Sequence, residues 1–319
     1  MALLKTWRRL KKLQQRVIAI LLLLLIPLFS LRHFKNHQLL LNLMNEKYGK
    51  EWVTSVSPPG PECTIDYANA NRLQQDHPCV IELIRSQYLY RPSPPNVPLN
   101  LSHPEVADPS AAQSKVALTH LHNQTGGFFV ECGAFDGEHG SNTLYMERHL
   151  QWKGILIEPD RKSFDKLLAK QRHSWALPVC LATEPHPTQV SFESNYEAGK
   201  IFGHDDDQQQ ANNSAERIIK EGIRLIVVQC FPLYSILLAV GRTRVDYFSL
   251  DVEGAESRIL SHVPWHLVDI KTLTVEITSR NEQVVNQVTS HMRANGFNSA
   301  GLIMGQGYYD LVFVNKRIS

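Results

Sequence analysis

From residue 126 onward, short apolar runs bounded by Gly, Asp and Pro alternate with stretches of helical periodicity. Strand-length apolar runs separated by amphipathic helices predict βαβ units around a parallel sheet, an α/β fold. The predicted strands are 128–131, 154–158, 175–182, 246–251, 272–277 and 310–315. One helix is predicted over 161–172. Another is predicted over 281–295, with Val284, Val285, Val288 and Met292 on one face and Gly296 as its stop.

Residues 32–125 lack this alternation. They hold a proline cluster at 91–98 (RPSPPNVP) and little apolar periodicity outside 79–89, which predicts a stem or accessory region with short helices. Between 194 and 216 the run DDDQQQANN breaks the pattern and reads as a solvated insertion. Its Asp triplet is a candidate metal ligand set, but a flexible polar loop is the simpler reading.

The other strongly patterned segment is 17–31 (VIAILLLLLIPLFSL), an uncharged apolar stretch of 15 residues that as a helix spans roughly 22 Å. Six basic residues precede it (Lys5, Arg8, Arg9, Lys11, Lys12, Arg16), whereas Arg32 and Lys35 follow closely. No small-x-small cleavage site follows, so an uncleaved signal anchor is expected. The basic residues should keep 1–16 in the cytosol, 17–31 crossing the membrane once and the remainder in the lumen. A span this short suits the thin bilayers of the endoplasmic reticulum or Golgi.

At 319 residues, with 43% hydrophobic and 20% charged side chains, the chain can fill one sizeable core plus an accessory piece. Net charge is +2, and because six positive charges sit before residue 17 the rest is net negative, which excludes a nucleic-acid partner on charge grounds. Five cysteines are compatible with an oxidising compartment. The bridges suggested are Cys63–Cys79 and Cys180–Cys230, leaving Cys132 as a buried thiol. Sequons at Asn100, Asn123 and Asn212 would be open to glycosylation in a lumen, making the chain a glycoprotein.

Three segments carry candidate chemistry. In 128–147 (FFVECGAFDGEHGSNTLYME) an apolar strand ends in an acid and passes through a glycine-bearing turn into a helix. Gly133 and Gly137 allow close backbone approach, and free amides before the helix can take an anionic group. The turn is neither the dinucleotide G-x-G-x-x-G, since Phe135 holds the middle position, nor a P-loop. In 154–160 (GILIEPD), Glu158 ends the next strand, where a carboxylate accepts ribose hydroxyls of an adenosine-type cofactor. In 245–257 (VDYFSLDVEGAES) a strand delivers Asp251 and Glu253 to the same sheet edge. Asp251 can act as general base, or hold a divalent cation with Glu253 or Glu276; alternatively Asp251 or Glu253 caps the helix starting near Gly254, with Glu256 complementing its dipole.

ECGAFDG, SNTLYME, GILIEPD, DYFSLDVEGAE and YYDLVFVN together resemble the successive motifs of the FkbM methyltransferase family, over roughly 126–316. The resemblance implies a class I S-adenosylmethionine-dependent (Rossmann-like) methyltransferase domain at 126–319, behind the anchor and stem. It places Glu131, Gly133, Asp136, Gly137 and Glu158 at cofactor contacts, and Asp251 and Glu253 on the matching acidic, catalytic turn. Glu131 stands where Asp is more usual in the family, and Cys132 where a small aliphatic residue is.

With the basic signal anchor, the SNTLYME and IEPD wording most resembles the invertebrate Star-like single-pass membrane proteins. That resemblance leaves two functions open. One is an O-methyltransferase acting on a lumenal sugar or other hydroxylated acceptor. The other is a non-catalytic factor for endoplasmic-reticulum-to-Golgi and endosomal transport of membrane-bound growth-factor precursors, which would extend the expected locations to endosome and plasma membrane.

Overall fold

The computed structural model describes residues 63–195, 198–202, 224–277, 282–304 and 309–317. The chain divides into two compact units, Met1–Pro58 and Pro59–Ser319, and every described residue belongs to the second. The expected anchor at 17–31, the Asp205–Asp207 triplet and Asn212 lie outside the described residues. Among the described residues no helix is long and apolar enough to cross a membrane.

The described chain opens with helices α1 (Ile65–Ala70) and α2 (Pro78–Leu83), a π-helical turn (Ile84–Tyr88), and α3 (Gln113–His120). Strand–helix alternation follows: β1 (Phe128–Cys132), α4 (Leu144–Leu150), β2 (Lys153–Ile157), α5 (Arg161–Ala169) and β3 (Trp175–Leu177). Next come β4 (Cys180–Leu181), β5 (Thr188–Ser194), β6 (Lys200–Ile201), β7 (Arg224–Phe231) and α6 (Leu233–Ala239). The chain ends with β8 (Arg244–Leu250), α7 (Glu256–Ser261), β9 (Asp269–Ile277), α8 (Glu282–Ala294), β10 (Phe297–Met304) and β11 (Tyr309–Asn315).

The main sheet has seven strands in the order β10-β11-β9-β8-β1-β2-β3. From β3 to β9 all pairings are parallel, and β11 inserts antiparallel between β9 and β10. The parallel strands are apolar because both faces are covered. Alternation along β1 and β2 sends Phe128, Val130, Cys132, Ile155 and Ile157 into one core, while Phe129 and Leu156 join Phe164, Leu167, Trp152 and Tyr247 in another. The two faces are thus filled separately, and the polar ends of β1, β8 and β9 meet at one edge.

The strand predicted over 175–182 splits. Pro178 cannot donate to a ladder, so β3 ends at Leu177 and β4 begins at Cys180 in a different sheet. That second sheet, β4-β7-β5-β6, is built from the insertion between β3 and β8. The solvated insertion expected from residue 194 therefore starts as structure, with Lys200 and Ile201 of β6 buried against β5. The bridge Cys180–Cys230 joins register partners on β4 and β7. Cys63–Cys79 closes the first two helices, and Cys132 is a buried free thiol.

Residues 63–125, read from sequence as stem, pack onto the same body. Ala68, Val80, Leu83 and Ile84 are fully buried in one core with Phe231, Ile236 and Leu237. Tyr90 then pairs with Ala176 through two backbone hydrogen bonds of 2.9 and 3.1 Å, covering the β3 edge of the main sheet. Residue 126 is therefore no edge of packing.

Candidate functional site

β1 and β8 lie side by side, and their following turns cross at the carboxyl edge of the sheet. Gly133 follows β1 with φ +85°, and a Cβ there would lie 2.0 Å from the carbonyl oxygen of Asp251. Glycine is needed because the two backbones touch. Gly137, φ +77°, faces α5, where a Cβ would stand 3.0 Å from Leu167 Cγ. It packs the turn against a helix.

The amides of this turn are engaged within the protein. Those of Gly133 and Ala134 donate to Ile157 O, that of Gly137 to Ala134 O, and that of Phe135 to Glu158 Oε2. Asp136 Oδ1 accepts from the amides of Glu138 and His139 at 2.9 and 2.8 Å. The free amides expected before the helix are absent at these positions.

Glu131, the penultimate residue of β1, is not among the residues that line the cleft. Its carboxylate accepts from the Asn142 amide at 2.6 Å, from Ser141 Oγ at 3.0 Å and from Thr143 Oγ1, so it ties the turn to the start of α4. Burial raises its pKa, opposed by Arg172 and these donors. Arg172 in turn pairs with Glu147 at 3.1 Å and donates to Gly137 O, a buried frame behind the turn. No periodicity along the chain marks this frame, because its members come from three separate segments.

Glu158 follows β2 and is 6% exposed. Its two oxygens accept from the amides of Phe135 (2.9 Å) and Asp160 (2.8 Å). Burial pushes its pKa up to about 8 against those two hydrogen bonds, with the charges of Asp160 and Asp251 adding to the rise. It lines a narrow slot with Phe135, Pro159, Leu181, Phe192, Ile201 and Ile259 as apolar walls. Leu181, Phe192 and Ile201 come from the second sheet, which no sequence motif marked.

Asp251 follows β8 and Glu276 lies on β9. Ser249 pairs with Thr274, so two residues further on Asp251 and Glu276 stand abreast, and Asp310 on β11 is the direct partner of Glu276. Asp251 and Glu276 share a hydrogen bond. Burial lifts all three above the ordinary carboxylate range, helped at Asp251 and Glu276 by their acidic neighbours: Asp251 far above it, Glu276 to about 7 and Asp310 to about 6. Helix capping was one of the roles open to Asp251 and Glu253, but the N-cap of α7 is Ala255, with no side-chain cap hydrogen bond, and the turn before it is braced by Glu256. Its carboxylate accepts from the Val252 and Gly254 amides at about 3.0 Å.

Gly133, Phe135, Asp251 and Glu253 line both the slot and a wider cleft of about 1010 Å³, whose wall also holds Asp136, His139, Asn142, Lys166 and Glu276. The structure thus brings Gly133, Asp136, Glu158, Asp251 and Glu253 to one continuous groove and leaves Glu131 and Gly137 behind it. The former stem supplies Ser102, His103, Val106 and Gln113 to the cleft wall.

A doubly wound sheet with a glycine turn after its first strand, an acid after its second and a groove along its carboxyl edge defines a class I methyltransferase-like fold. The methyltransferase FkbM domain profile matches residues 131–299, and the chain belongs to that family. Among solved structures, the FkbM methyltransferase of Methylobacillus flagellatus KT is 12% identical, with 59% of this chain and 43% of that one covered and a TM-score of 0.38. A methyltransferase from Pyrococcus furiosus is 10% identical over 65% of this chain and 82% of that one, at a TM-score of 0.34. Aeropyrum pernix fibrillarin, solved with S-adenosyl-L-methionine, is 9% identical over 64% and 76%, at 0.36. No curated protein matches the sequence.

Proposed function

We propose that the chain is an S-adenosylmethionine-dependent O-methyltransferase held at an endoplasmic reticulum or Golgi membrane by residues 17–31, acting in the lumen on a sugar or other hydroxylated acceptor. The observation that carries this reading is the shared wall. Gly133, Phe135, Asp251 and Glu253 border both the slot that reaches Glu158 and the wide cleft, so a ligand anchored at Glu158 has its far end beside Asp251.

The donor set fits the cofactor. Glu158 offers a carboxylate to a ribose diol, and Leu181, Phe192 and Ile201 offer an apolar slot to a purine. When bound, the cofactor supplies an electrophilic methyl group on a sulfonium sulfur. The protein's part is then alignment and proton removal. Glu158, Leu181, Phe192 and Ile201 would hold the cofactor, and Asp251 and Glu276 would face the acceptor hydroxyl in the cleft. Asp251 and Glu276 share a proton in their hydrogen bond, and the ionised carboxylate of that pair would take the hydroxyl proton.

Calorimetry of the detergent-purified chain with S-adenosylmethionine tests the pocket, and transfer of labelled methyl to a panel of glycans tests the reaction. Absence of binding at millimolar cofactor would sink the enzyme reading. Binding without transfer, together with growth-factor-precursor export that survives Asp251→Asn, would favour the Star-like transport role. For topology, glycosidase treatment should lower the apparent mass; Asn100 and Asn123 are both exposed. No mass change in the membrane-bound protein would count against a lumenal body.

A further inference from the structure

One carboxylate oxygen from each of Asp251, Glu253 and Glu276 lies within 4.8 Å of the others, at the point where the turns after β8 and β9 meet the cleft. Three acids together prove nothing alone. A second observation comes from two amides on the same cleft wall. Gln113, at the start of α3, and Asn142, before α4, are 5% and 7% exposed, and Gln113 Oε1 and Asn142 Oδ1 are buried without a hydrogen-bond partner.

Their orientation is fixed by their other ends. Gln113 Nε2 donates to Asp310 Oδ2 at 2.9 Å, and Asn142 Nδ2 donates to Ser249 Oγ at 2.9 Å. Flipping Gln113 would set an amide oxygen against a carboxylate. Asp310 is the register partner of Glu276, and Ser249 is two residues before Asp251 on the same face of β8, so both amides sit beside the acidic row. A buried carbonyl oxygen with no donor is unfavourable, because it has lost its hydration with nothing in exchange. The arrangement is therefore incomplete as protein alone: three carboxyl groups converge, and the two buried acceptors beside them have no donor.

We propose that Asp251, Glu253 and Glu276 bind one divalent cation of the Mg²⁺ or Mn²⁺ class, with Gln113 and Asn142 reached directly or through cation-bound water. The donor set is all oxygen, with no histidine or thiolate, which selects a hard cation, and such ions keep several waters that donate hydrogen bonds outward. The buried cations around the glycine turn do not serve instead: Lys170 pairs with Glu138 and Arg172 with Glu147. The inference deepens the methyl-transfer reading, since an acceptor hydroxyl entering from the cleft would meet the ion, which orients it and lowers its pKa. Its observations do not depend on that reading.

The test is titration of the chelator-treated, detergent-purified full chain with Mn²⁺, followed by loss of the free-ion electron paramagnetic resonance signal. One saturable site that Mg²⁺ displaces is expected. Glu276→Gln and Glu253→Gln should each weaken it at least about tenfold, and Asn142→Leu by a smaller factor, while the exposed Glu105→Gln leaves it unchanged. Mn²⁺ should raise the melting temperature of the wild type and not of Glu276→Gln, a readout that also shows the variant is folded. No saturable site, or folded variants that bind like wild type, overturns the proposal. S-adenosylhomocysteine calorimetry on the same samples separates the two readings: a Mn²⁺ site without nucleoside binding keeps the metal and removes the methyltransferase, and nucleoside binding without a Mn²⁺ site does the reverse.

Discussion

At Gly133 the backbone passes so close to Asp251 that any side chain would collide with a carbonyl oxygen. Gly133→Ala should therefore cost about 3 kcal/mol or more in urea unfolding, where Gly140→Ala, at φ +64° with nothing within 4 Å, should cost only about 1 kcal/mol. A loss of ligand binding in Gly133 variants thus reports on the fold first. Glu158 is the cleaner probe of the pocket. Its folded pKa, about 8, lies above the ordinary 4.5, so the free protein holds the carboxyl neutral below about pH 8. Ribose hydroxyls need the ionised form, so S-adenosylhomocysteine affinity should fall toward tenfold per pH unit below that value, and Glu158→Gln should abolish the slope. The same shift means that Glu158 withdraws stability as pH rises from 4.5 to about 8. Gly133, Glu158 and Asp251 were legible because each ends or follows an apolar strand. Glu131 was legible as an acid at a strand end, but its hydrogen-bond partners at 141–143 are visible only once the turn is folded.

At the scale of elements, Glu138 fastens the segment before α3 to the turn after β1. It accepts from the amides of Ser102 and His103 at 2.7 and 2.6 Å and pairs with Lys170, the residue that ends α5. Burial alone would raise its pKa, but Lys170 and the two amides outweigh that and bring it down to about 2. A depressed carboxylate stabilises above its ordinary pKa, so this contribution should be lost as pH falls from about 4.5 toward 2. Lys170→Met leaves Glu138 buried and unpaired, and urea unfolding at neutral pH should show a loss of about 3–5 kcal/mol. Hydrogen exchange at residues 102–106 should rise in the variant even where the rest of the protein stays protected. Strands β1, β2, β8, β9 and β11 were readable because burial on both faces gives each a run of apolar residues, which Glu131, Glu276 and Asp310 interrupt only singly. β10 reads FNSAGLIM and is mostly exposed at the sheet edge, so it carried no apolar run to find. Short helices were expected somewhere in 32–125, but those at 65–83 could not be placed, because each is only six residues long and buries a few side chains through tertiary contact, not through a periodic stripe.

For the whole molecule, the two bridges close loops with sequence separations of 16 and 50 residues. Chain-entropy estimates put their worth at about 3 and about 4 kcal/mol, so Cys180→Ser with Cys230→Ser should lower the melting temperature more than the Cys63–Cys79 pair replaced likewise. Calorimetric melts with and without reductant check the order. Both pairings agree with those suggested from sequence, although cysteine spacing does not by itself prove either. The second sheet was not legible, because its strands straddle the polar insertion and belong to no βαβ unit. That sheet gives the final consequence. Cys180 stands both in the bridge to Cys230 and in the wall of the slot beside Glu158. Ligand occupancy and thiol oxidation are therefore linked functions of one wall: whatever factor the closed bridge adds to ligand affinity, a bound ligand returns as resistance of that bridge to reduction.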